Sequence, residues 1–308
     1  MTELKVAIIG AGLMGHSIAQ LFAAAGARVS LMDSQPESLA AAGPAMARLC
    51  QQMEIDEACL SALTTHHTIA DAVSEADLVI EAVPEKIELK RQVFAAIDTH
   101  APGRAILASN TSVIPITRIA SAVTDRSRFF GAHFWNPPSF VPLVEVVMTE
   151  ESNPVLADHL MAILTEIGQE PVLVRRDIPG FIGNRLQHAM KREAIALVAA
   201  GVCDAETVDR VIKTGFGPRL SVLGTLEQSD LVGLNLTLDI HEELIADLDV
   251  TPGPHPYLRS LVAEGHLGMK TGHGFYDWTP ERAQDVRNRL ADFMAERRRL
   301  RLQRNQSD

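Results

Sequence analysis

Residues 4–33 read LKVAIIGAGLMGHSIAQLFAAAGARVSLMD, and this stretch decides the fold of the chain. It contains, in order, an apolar run, a glycine-rich segment, a helical stretch, a second apolar run and an acid, at Leu4–Ile9, Gly10–Gly15, Ser17–Ala25, Val29–Met32 and Asp33. The order strand, glycine loop, helix, strand and acid is typical of the first βαβ unit of an open, mostly parallel sheet. We therefore predict an α/β domain of the Rossmann type at the start of the chain.

The glycine-rich segment GAGLMG has the composition of a loop that receives phosphate groups. Gly10 permits the tight turn after the strand, Gly12 lets the backbone approach a pyrophosphate, and Gly15 permits close packing of the helix on the strand. The amides of Leu13 and Met14 lie where the following helix begins, and the helix dipole favours an anion there. These five residues form the predicted phosphate site, and a tight turn without a ligand is the alternative.

Asp33 indicates which dinucleotide the loop receives. It lies 23 positions after Gly10, near the spacing of the acid that binds the adenosine ribose in such units. A carboxylate there accepts a hydrogen bond from the ribose 2′-hydroxyl and repels a 2′-phosphate. The sequence therefore predicts NAD rather than NADP as the cofactor.

Composition and charge exclude several classes of function. The chain has 308 residues, of which 46% are hydrophobic and 22% charged, as in an ordinary globular protein. The net charge of −11 argues against a nucleic acid or an anionic membrane as partner. We expect a small-molecule substrate, a cytoplasmic location, and no membrane span or leader. Three cysteines without CxxC spacing indicate neither a disulfide framework nor a zinc site, and no metal is expected.

The remaining sequence divides into a mixed part and a helical part. Further strands are predicted at Asp77–Val83, Arg104–Ala108, Phe129–Ala132, Leu143–Met148 and Pro171–Val174. After Asp177 helical periodicity takes over, and the arginine-rich run 296–304 is interpreted as a solvated helix end. We place a Rossmann-like sheet domain at 1–178 and an all-helical domain at 179–308.

Polar residues follow one of these strands directly. Ser109, Asn110, Thr111 and Ser112 come after Arg104–Ala108, at the end of the strand that faces ligands in an open α/β sheet. Their hydroxyl and amide groups can cap the next helix, which is the commoner role, or contact a ligand. Both roles are compatible with the predicted sheet.

The segment GAHFWNPPSFVPLVEVV, residues 131–147, carries the candidate catalytic residues. Glu145 interrupts an apolar run, and a buried carboxylate needs a cation or strong donors. His133, on the other side of the turn at Asn136, is the nearest candidate. A histidine with one ring nitrogen held by a carboxylate is a general base whose tautomer is already set. A structural His–Glu pair that closes a hairpin explains the same pattern.

Taken together, the motifs resemble the 3-hydroxyacyl-CoA dehydrogenase family over most of the chain, from Val6 to Tyr276. They are GAGLMG, EAVPE, SNTS, HFWNP with a downstream glutamate, PGFIGNR and KTGHGFY, beginning at Gly10, Glu81, Ser109, His133, Pro179 and Lys270. The resemblance implies that His133 is the catalytic base and that Glu145 orients it. It also implies that Ser112 and Asn184 hold the reacting oxygen of the substrate.

The resemblance assigns further residues and an assembly. Glu85, Lys90 and Asn136 match positions that shape the nicotinamide and ribose pocket, and Asn110 belongs with them in the predicted cofactor site. By analogy the chain is a homodimer, assembled through the helical domain. A step in fatty acid metabolism is the implied setting.

Two departures from the family bear on the substrate. The stretch Ser34–Glu75, where the family has a lysine-rich helical pair for coenzyme A, contains Arg48 as its single cation. Trp135 stands where the family more often has phenylalanine. We expect a short-chain 3-hydroxyacyl-CoA as substrate. The alternative is a small free acid, because relatives on the same fold act on carnitine or gulonate. A third hypothesis is a non-catalytic, crystallin-like protein.

Overall fold

The computed structural model describes residue 1 and residues 3–305, and its first part is built on one eight-stranded sheet. The strands are β1 Lys5–Ile9, β2 Arg28–Met32, β3 Leu63–His66, β4 Leu78–Glu81, β5 Ile106–Ser109, β6 Phe129–Phe134, β7 Leu143–Val147 and β8 Glu170–Val174. Their order is β3-β2-β1-β4-β5-β6-β7-β8, and every pairing is parallel except that of β6 with β7. The predicted Rossmann-type sheet is confirmed.

Helices pack on both faces of this sheet. They are α1 Leu13–Ala24, α2 Pro36–Met53, α3 Ile69–Val73, α4 Ile87–His100, α5 Ile116–Ala120 and α6 Pro154–Glu166. One apolar cluster joins α1, α2 and α6 to one face, and a second joins α3, α4 and α5 to the other. The central strands are therefore buried on both sides, which explains why they are continuous apolar runs. The carboxyl ends of β1, β4 and β5 form one edge.

The composition of residues 36–63 predicts a helical region, and the α-helix covers only its first part. The helix α2 ends at Met53, Glu54 adopts the left-handed conformation, and a 3₁₀ helix at Glu57–Ala62 leads into β3. The edge strand β3 reads LTTH and its residues are exposed or partly exposed, so it lacks the apolar run that marked the other strands. Its existence depends on pairing with β2, which local sequence does not reveal.

The second part of the chain is helical in the described residues. Its helices are α7 Gly183–Ala199, α8 Ala205–Thr214, α9 Thr225–Val232, α10 Leu234–Leu244, α11 Pro256–Ala263 and α12 Pro280–Asn305. The helical pattern over Gly224–Leu248 contains an internal Gly233, and in the structure this glycine, with φ 98°, separates α9 from α10. None of these helices, nor any other in the described part of the chain, is long and apolar enough to cross a membrane.

The chain forms two compact units that differ from the predicted domains at both boundaries. The first contains the residues up to Arg185 and those from Ala291 onward, and the second runs from Leu186 to Leu290. The sequence analysis had placed the whole C-terminal helix with the helical domain. The end of α12 instead contacts the first unit, for the reason given next.

The arginine-rich end of α12 is not simply a solvated helix end. Arg298 is partly buried, and its Nη1 donates to the carbonyl oxygen of Met53 over 3.1 Å. Met53 is the last residue of α2, where the final carbonyls have no partner within the helix and the dipole is negative. Arg301, also partly buried, lies 3.9 Å from Glu170. The guanidinium groups therefore bind the surface of the first unit instead of facing water.

Candidate active site

The glycine loop after β1 has the geometry of a phosphate cradle. Gly10 has φ 106°, and a Cβ there would lie 2.8 Å from the Ala82 carbonyl oxygen. A Cβ on Gly15 would collide with the Gly10 carbonyl oxygen, whereas Gly12 has open space where its Cβ would be. The first two contacts fix the turn against β4 and α1. The open space at Gly12 is the room that a pyrophosphate needs to approach the backbone.

Asp33 holds this loop at the end of β2. Its Oδ2 accepts a hydrogen bond from the Ala11 amide at 2.8 Å, and its Oδ1 accepts one from the Gln35 amide at 2.9 Å. No side chain caps the first turn of α1, so the amides there are available to an anion. These residues fit a dinucleotide with a free ribose 2′-hydroxyl.

His133 and Glu145 face each other across the antiparallel pair β6 and β7. They are direct register partners, and His133 Nδ1 lies 2.9 Å from Glu145 Oε2. Both side chains are buried, with exposed fractions of 6% and 1%. Since Nδ1 points at the carboxylate, the proton on this nitrogen is fixed and Nε2 is the nitrogen left to exchange a proton.

Glu145 is a fully satisfied carboxylate. Its Oε2 faces His133, and its Oε1 accepts from the amides of Ile182 at 2.9 Å and Gly183 at 3.0 Å. Burial opposes ionisation of Glu145, but the hydrogen bonds from His133, Gly183 and Ile182 outweigh it and hold its pKa below the usual value. Its contribution to stability is therefore present above the ordinary glutamate pKa and is lost as the pH falls through the lowered folded-state value.

The two amides reach Glu145 because the chain before α7 is left-handed. Gly180 has φ 75° and Phe181 has φ 49°, a conformation that only glycine adopts readily. Phe181 is fully buried, and its ring centroid lies 5.8 Å from that of His133. The segment thus packs an aromatic ring on the imidazole and directs two N–H groups to the carboxylate.

A buried ionic network lies below the ends of β4 and β5. Lys90 Nζ is 2.7 Å from Glu81 Oε1 and donates to the Val83 carbonyl at 3.2 Å, and Ser109 Oγ donates to Glu81 Oε2 at 2.6 Å. Burial raises the pKa of Glu81, and Lys90 beside it opposes that rise. Glu81 was not among the site residues predicted from the sequence. It could have been, because a lone acid in the apolar strand LVIE is the signal that marked Glu145.

Glu85 connects this network to the loop that carries Ser112. Its Oε1 accepts from Thr111 Oγ1 at 2.6 Å, from the Ser112 amide at 2.9 Å and from the Val113 amide at 3.1 Å. Burial opposes ionisation of Glu85 and would raise its pKa. The hydrogen bonds and the charge of Lys90 outweigh this effect and lower the pKa. Glu85 therefore fixes the backbone of the Ser112 loop.

Asn184 lies beside that loop. Its Nδ2 donates to the Ser112 carbonyl oxygen at 2.9 Å, which brings together the two residues predicted to hold the substrate oxygen. An amide nitrogen carries two hydrogens, so one donor remains after this bond. Asn184 and the Ser112 backbone therefore meet at one place, and one Asn184 hydrogen is left to bind a ligand there.

Two family models match this chain. The first describes the NAD-binding domain of 3-hydroxyacyl-CoA dehydrogenase and matches residues 5–178, and the second describes the C-terminal domain and matches residues 180–278. The chain belongs to the 3-hydroxyacyl-CoA dehydrogenase family. Like the family, it is an oxidoreductase that acts on CH–OH donors, and its cofactor is NAD.

Individual relatives within the 3-hydroxyacyl-CoA dehydrogenase family differ in substrate. The chain is 34% identical to 5-formyl-3-hydroxy-2-methylpyridine 4-carboxylate 5-dehydrogenase of Mesorhizobium japonicum, over 96% of this chain and 97% of that protein. It is 37% identical to the mitochondrial hydroxyacyl-coenzyme A dehydrogenase of Rattus norvegicus, over 89% and 90%. Both coenzyme A and non-coenzyme A substrates therefore occur among its relatives.

Solved structures show the same two groups. A crystal structure of the pyridine carboxylate dehydrogenase, described as an NAD⁺-dependent dismutase, superimposes with a TM-score of 0.90 and 32% identity, covering 96% of this chain and 97% of that one. The (S)-3-hydroxybutyryl-CoA dehydrogenase from Ralstonia eutropha superimposes with a TM-score of 0.73 and 31% identity, covering 89% and 99%. The similarity in fold extends further along the chain for the first.

The other cofactor residues predicted for this family member lie at the same sheet edge or below it. Asn110 Oδ1 accepts from the Phe134 amide at 2.8 Å, which leaves its amide nitrogen for a ligand. Asn136 is exposed in the turn after β6. Lys90, by contrast, is only 1% exposed, and its ammonium faces Glu81 and Glu85. Its role toward the cofactor stays a prediction, and any such effect would be transmitted through Glu85.

Proposed function

We propose that this chain interconverts a 3-hydroxyacyl and a 3-ketoacyl compound by hydride transfer, with His133 as the general base. The observation that carries the proposal is the buried contact of His133 Nδ1 with Glu145 Oε2. A histidine held in this way accepts a proton at Nε2, and the carboxylate stabilises the imidazolium that forms.

In this proposal three side chains act on the hydroxyl group of the substrate. The substrate hydroxyl lies between Ser112 and Asn184, whose hydrogens stabilise negative charge as it develops on the oxygen. His133 Nε2 removes the hydroxyl proton as the hydride leaves the carbon. Bound NAD⁺ supplies the hydride acceptor. In the reverse direction His133 returns the proton to the alkoxide oxygen.

For the substrate we propose a short-chain 3-hydroxyacyl-CoA, as in the relatives that carry this activity in their names. The second candidate is a small carboxylate without coenzyme A. In its favour, the alignment with the pyridine carboxylate dehydrogenase leaves about 12 residues of this chain unmatched, 4% of 308, which is fewer than the 26 residues of α12. At least part of α12 is thus shared with a non-coenzyme A enzyme, although the C-terminal family model ends at residue 278.

A substrate panel read by NADH absorbance separates the two candidates. We expect loss of NADH with acetoacetyl-CoA, and slower or no loss with acetoacetate, 3-dehydrocarnitine and 5-formyl-3-hydroxy-2-methylpyridine 4-carboxylate. If a free acid is turned over and acetoacetyl-CoA is not, even at high enzyme concentration, the second candidate is supported instead. His133→Gln is the control for each active substrate, because a reaction that persists without the base is not catalysed at this site.

We further propose that the chain is a homodimer assembled through the second unit. Between Leu186 and Leu290 only Leu261 and Ala283 are buried among the described residues. Large apolar side chains are instead exposed in this unit, including Val222, Leu226 and Leu231 with exposed fractions of 85%, 83% and 72%. Apolar surface of this extent marks a protein interface. The cytoplasmic location and the role in fatty acid metabolism stay predictions.

Sedimentation equilibrium tests the dimer. We expect a mass twice the 33.5 kDa of one chain, and a shift toward that of one chain in Leu226→Asp, because a carboxylate in an apolar interface is costly. Val155→Asp is the matched control, since Val155 is 72% exposed on α6 of the first unit. A single-chain mass for the wild-type protein at micromolar concentration would refute the proposal, and equal dissociation by both variants would remove α9 from the interface.

A further inference from the structure

Trp135 lies in the HFWNP segment and has no role in the proposed mechanism. Its Nε1 lies 3.4 Å from Glu145 Oε2, the same oxygen that lies 2.9 Å from His133 Nδ1. Its ring centroid is 5.5 Å from that of His133, with an angle of 51° between the ring planes. The indole therefore covers the imidazole and also donates to the carboxylate that orients it.

The backbone at the beginning of α7 is shaped for this indole. A Cβ on Gly183 would collide with Trp135 Cζ2 and would lie 3.2 Å from Cη2. Gly183 also donates its amide to Glu145 Oε1 at 3.0 Å. The absence of a side chain at Gly183 thus permits the tryptophan to lie against the turn that binds the same carboxylate.

The indole changes how the charge of Glu145 is shared. Oε1 accepts from Ile182 and Gly183, and Oε2 accepts from His133 and Trp135. A carboxylate has about four acceptor positions, so all of them are used. Phenylalanine at position 135 would keep a ring over the imidazole but would remove the fourth donor. More of the negative charge would then act on His133.

Among the described residues, the two rings that lie against the imidazole of His133 carry no charge. The second of these rings is that of Phe181. The strand β6, which carries His133, pairs with β7, which carries Glu145. Glu145 is the charged group in direct contact with the imidazole. A change in the hydrogen bonds of Glu145 should therefore be visible in the protonation of His133.

We propose that Trp135 is a positioning residue for the His133–Glu145 base: its N–H takes part of the charge of Glu145 Oε2 and so lowers the pH at which the base becomes free to accept a proton. This proposal rests on the proposed function of His133. It assigns to the tryptophan a role that a phenylalanine at this position cannot fill.

The test is an NMR titration that needs no substrate. The ring signals of the 11 histidines are followed against pH, and the His133 signal is assigned by its loss in His133→Gln. We expect the midpoint of the His133 transition to rise by roughly 0.5 pH unit in Trp135→Phe, the size expected for loss of one long hydrogen bond to a charged group. Trp278→Phe is the matched control, because Trp278 is the other tryptophan and contacts Arg282 in the second unit.

A second variant and a kinetic profile complete the experiment. Gly183→Ala should displace the indole without removing it, and the midpoint should shift in the same direction. With an active substrate, kcat/KM for alcohol oxidation in Trp135→Phe should fall about threefold below the midpoint and be unchanged above it, since a shift of 0.5 pH unit is a factor of about three. An unchanged NMR midpoint in Trp135→Phe would overturn the proposal. A shifted midpoint without turnover of any substrate would support it and reject the proposed function.

Discussion

Replacing His133 by glutamine should reduce turnover by about 10²- to 10⁴-fold while the affinity for NADH stays within about twofold of wild type. The expected loss is the usual contribution of a positioned general base. The affinity should persist because the proposed cofactor site, formed by the glycine loop and Asp33, does not include β6. Turnover is measured with the active substrate, and NADH binding by fluorescence titration.

Two further variants serve as comparisons for His133→Gln. Glu145→Gln should also lose most of the rate and show an altered pH profile, because the imidazolium loses its charged partner. His159→Gln should behave as wild type, because His159 is exposed on α6. A large loss of NADH binding in His133→Gln would show that the His–Glu pair is structural, which is the alternative that the sequence left open.

Lys90→Met should lower the free energy of unfolding by about 3–5 kcal/mol. The reason is the buried pair with Glu81, whose two side chains have exposed fractions of 1% and 0%. Removing one member leaves an uncompensated charge in a medium of low polarity, and this costs more than the pair itself contributed. Urea unfolding of wild type and variant at one protein concentration measures the difference.

A double variant distinguishes the ionic explanation from simple loss of packing. In Glu81→Gln/Lys90→Met the fully buried carboxylate is gone, and Glu85, which also loses Lys90, is 36% exposed, so part of the stability should return. Lys5→Met is the control for the loss of an exposed pair, because Lys5 lies 2.8 Å from Glu75 at the surface and such pairs contribute about 0–1 kcal/mol. If the double variant were as unstable as Lys90→Met alone, the burial of charge would not be the cause.

The central strands and the glycine loop were accessible to sequence reasoning because local pattern determines them. An apolar run that ends in GAGLMG can only serve a buried strand and a tight loop, and the structure has β1 and α1 there. The pairing of His133 with Glu145 was predicted for the same kind of reason, since a buried acid needs a partner and the hairpin supplies one nearby in sequence. In both cases the information lies within about twenty residues.

What the sequence did not reveal depends on contacts distant in the chain. The strand β3 exists because β2 is beside it, and Arg298 of α12 donates to the carbonyl oxygen of Met53, 245 positions away. The interaction of Trp135 with Glu145 required knowledge that Gly183 leaves space for an indole. None of these contacts has a periodic or compositional signal, so no local rule could have found them.

The antiparallel register of β6 and β7 also has a consequence for the order of folding. His133 and Glu145 are 12 positions apart, and a short loop closes with little loss of chain entropy. The parallel pairs that build the cofactor edge join segments separated by a helix, and such contacts form more slowly. The hairpin that contains the proposed base is therefore expected to be protected from amide exchange early in refolding, before the glycine loop has closed on β4.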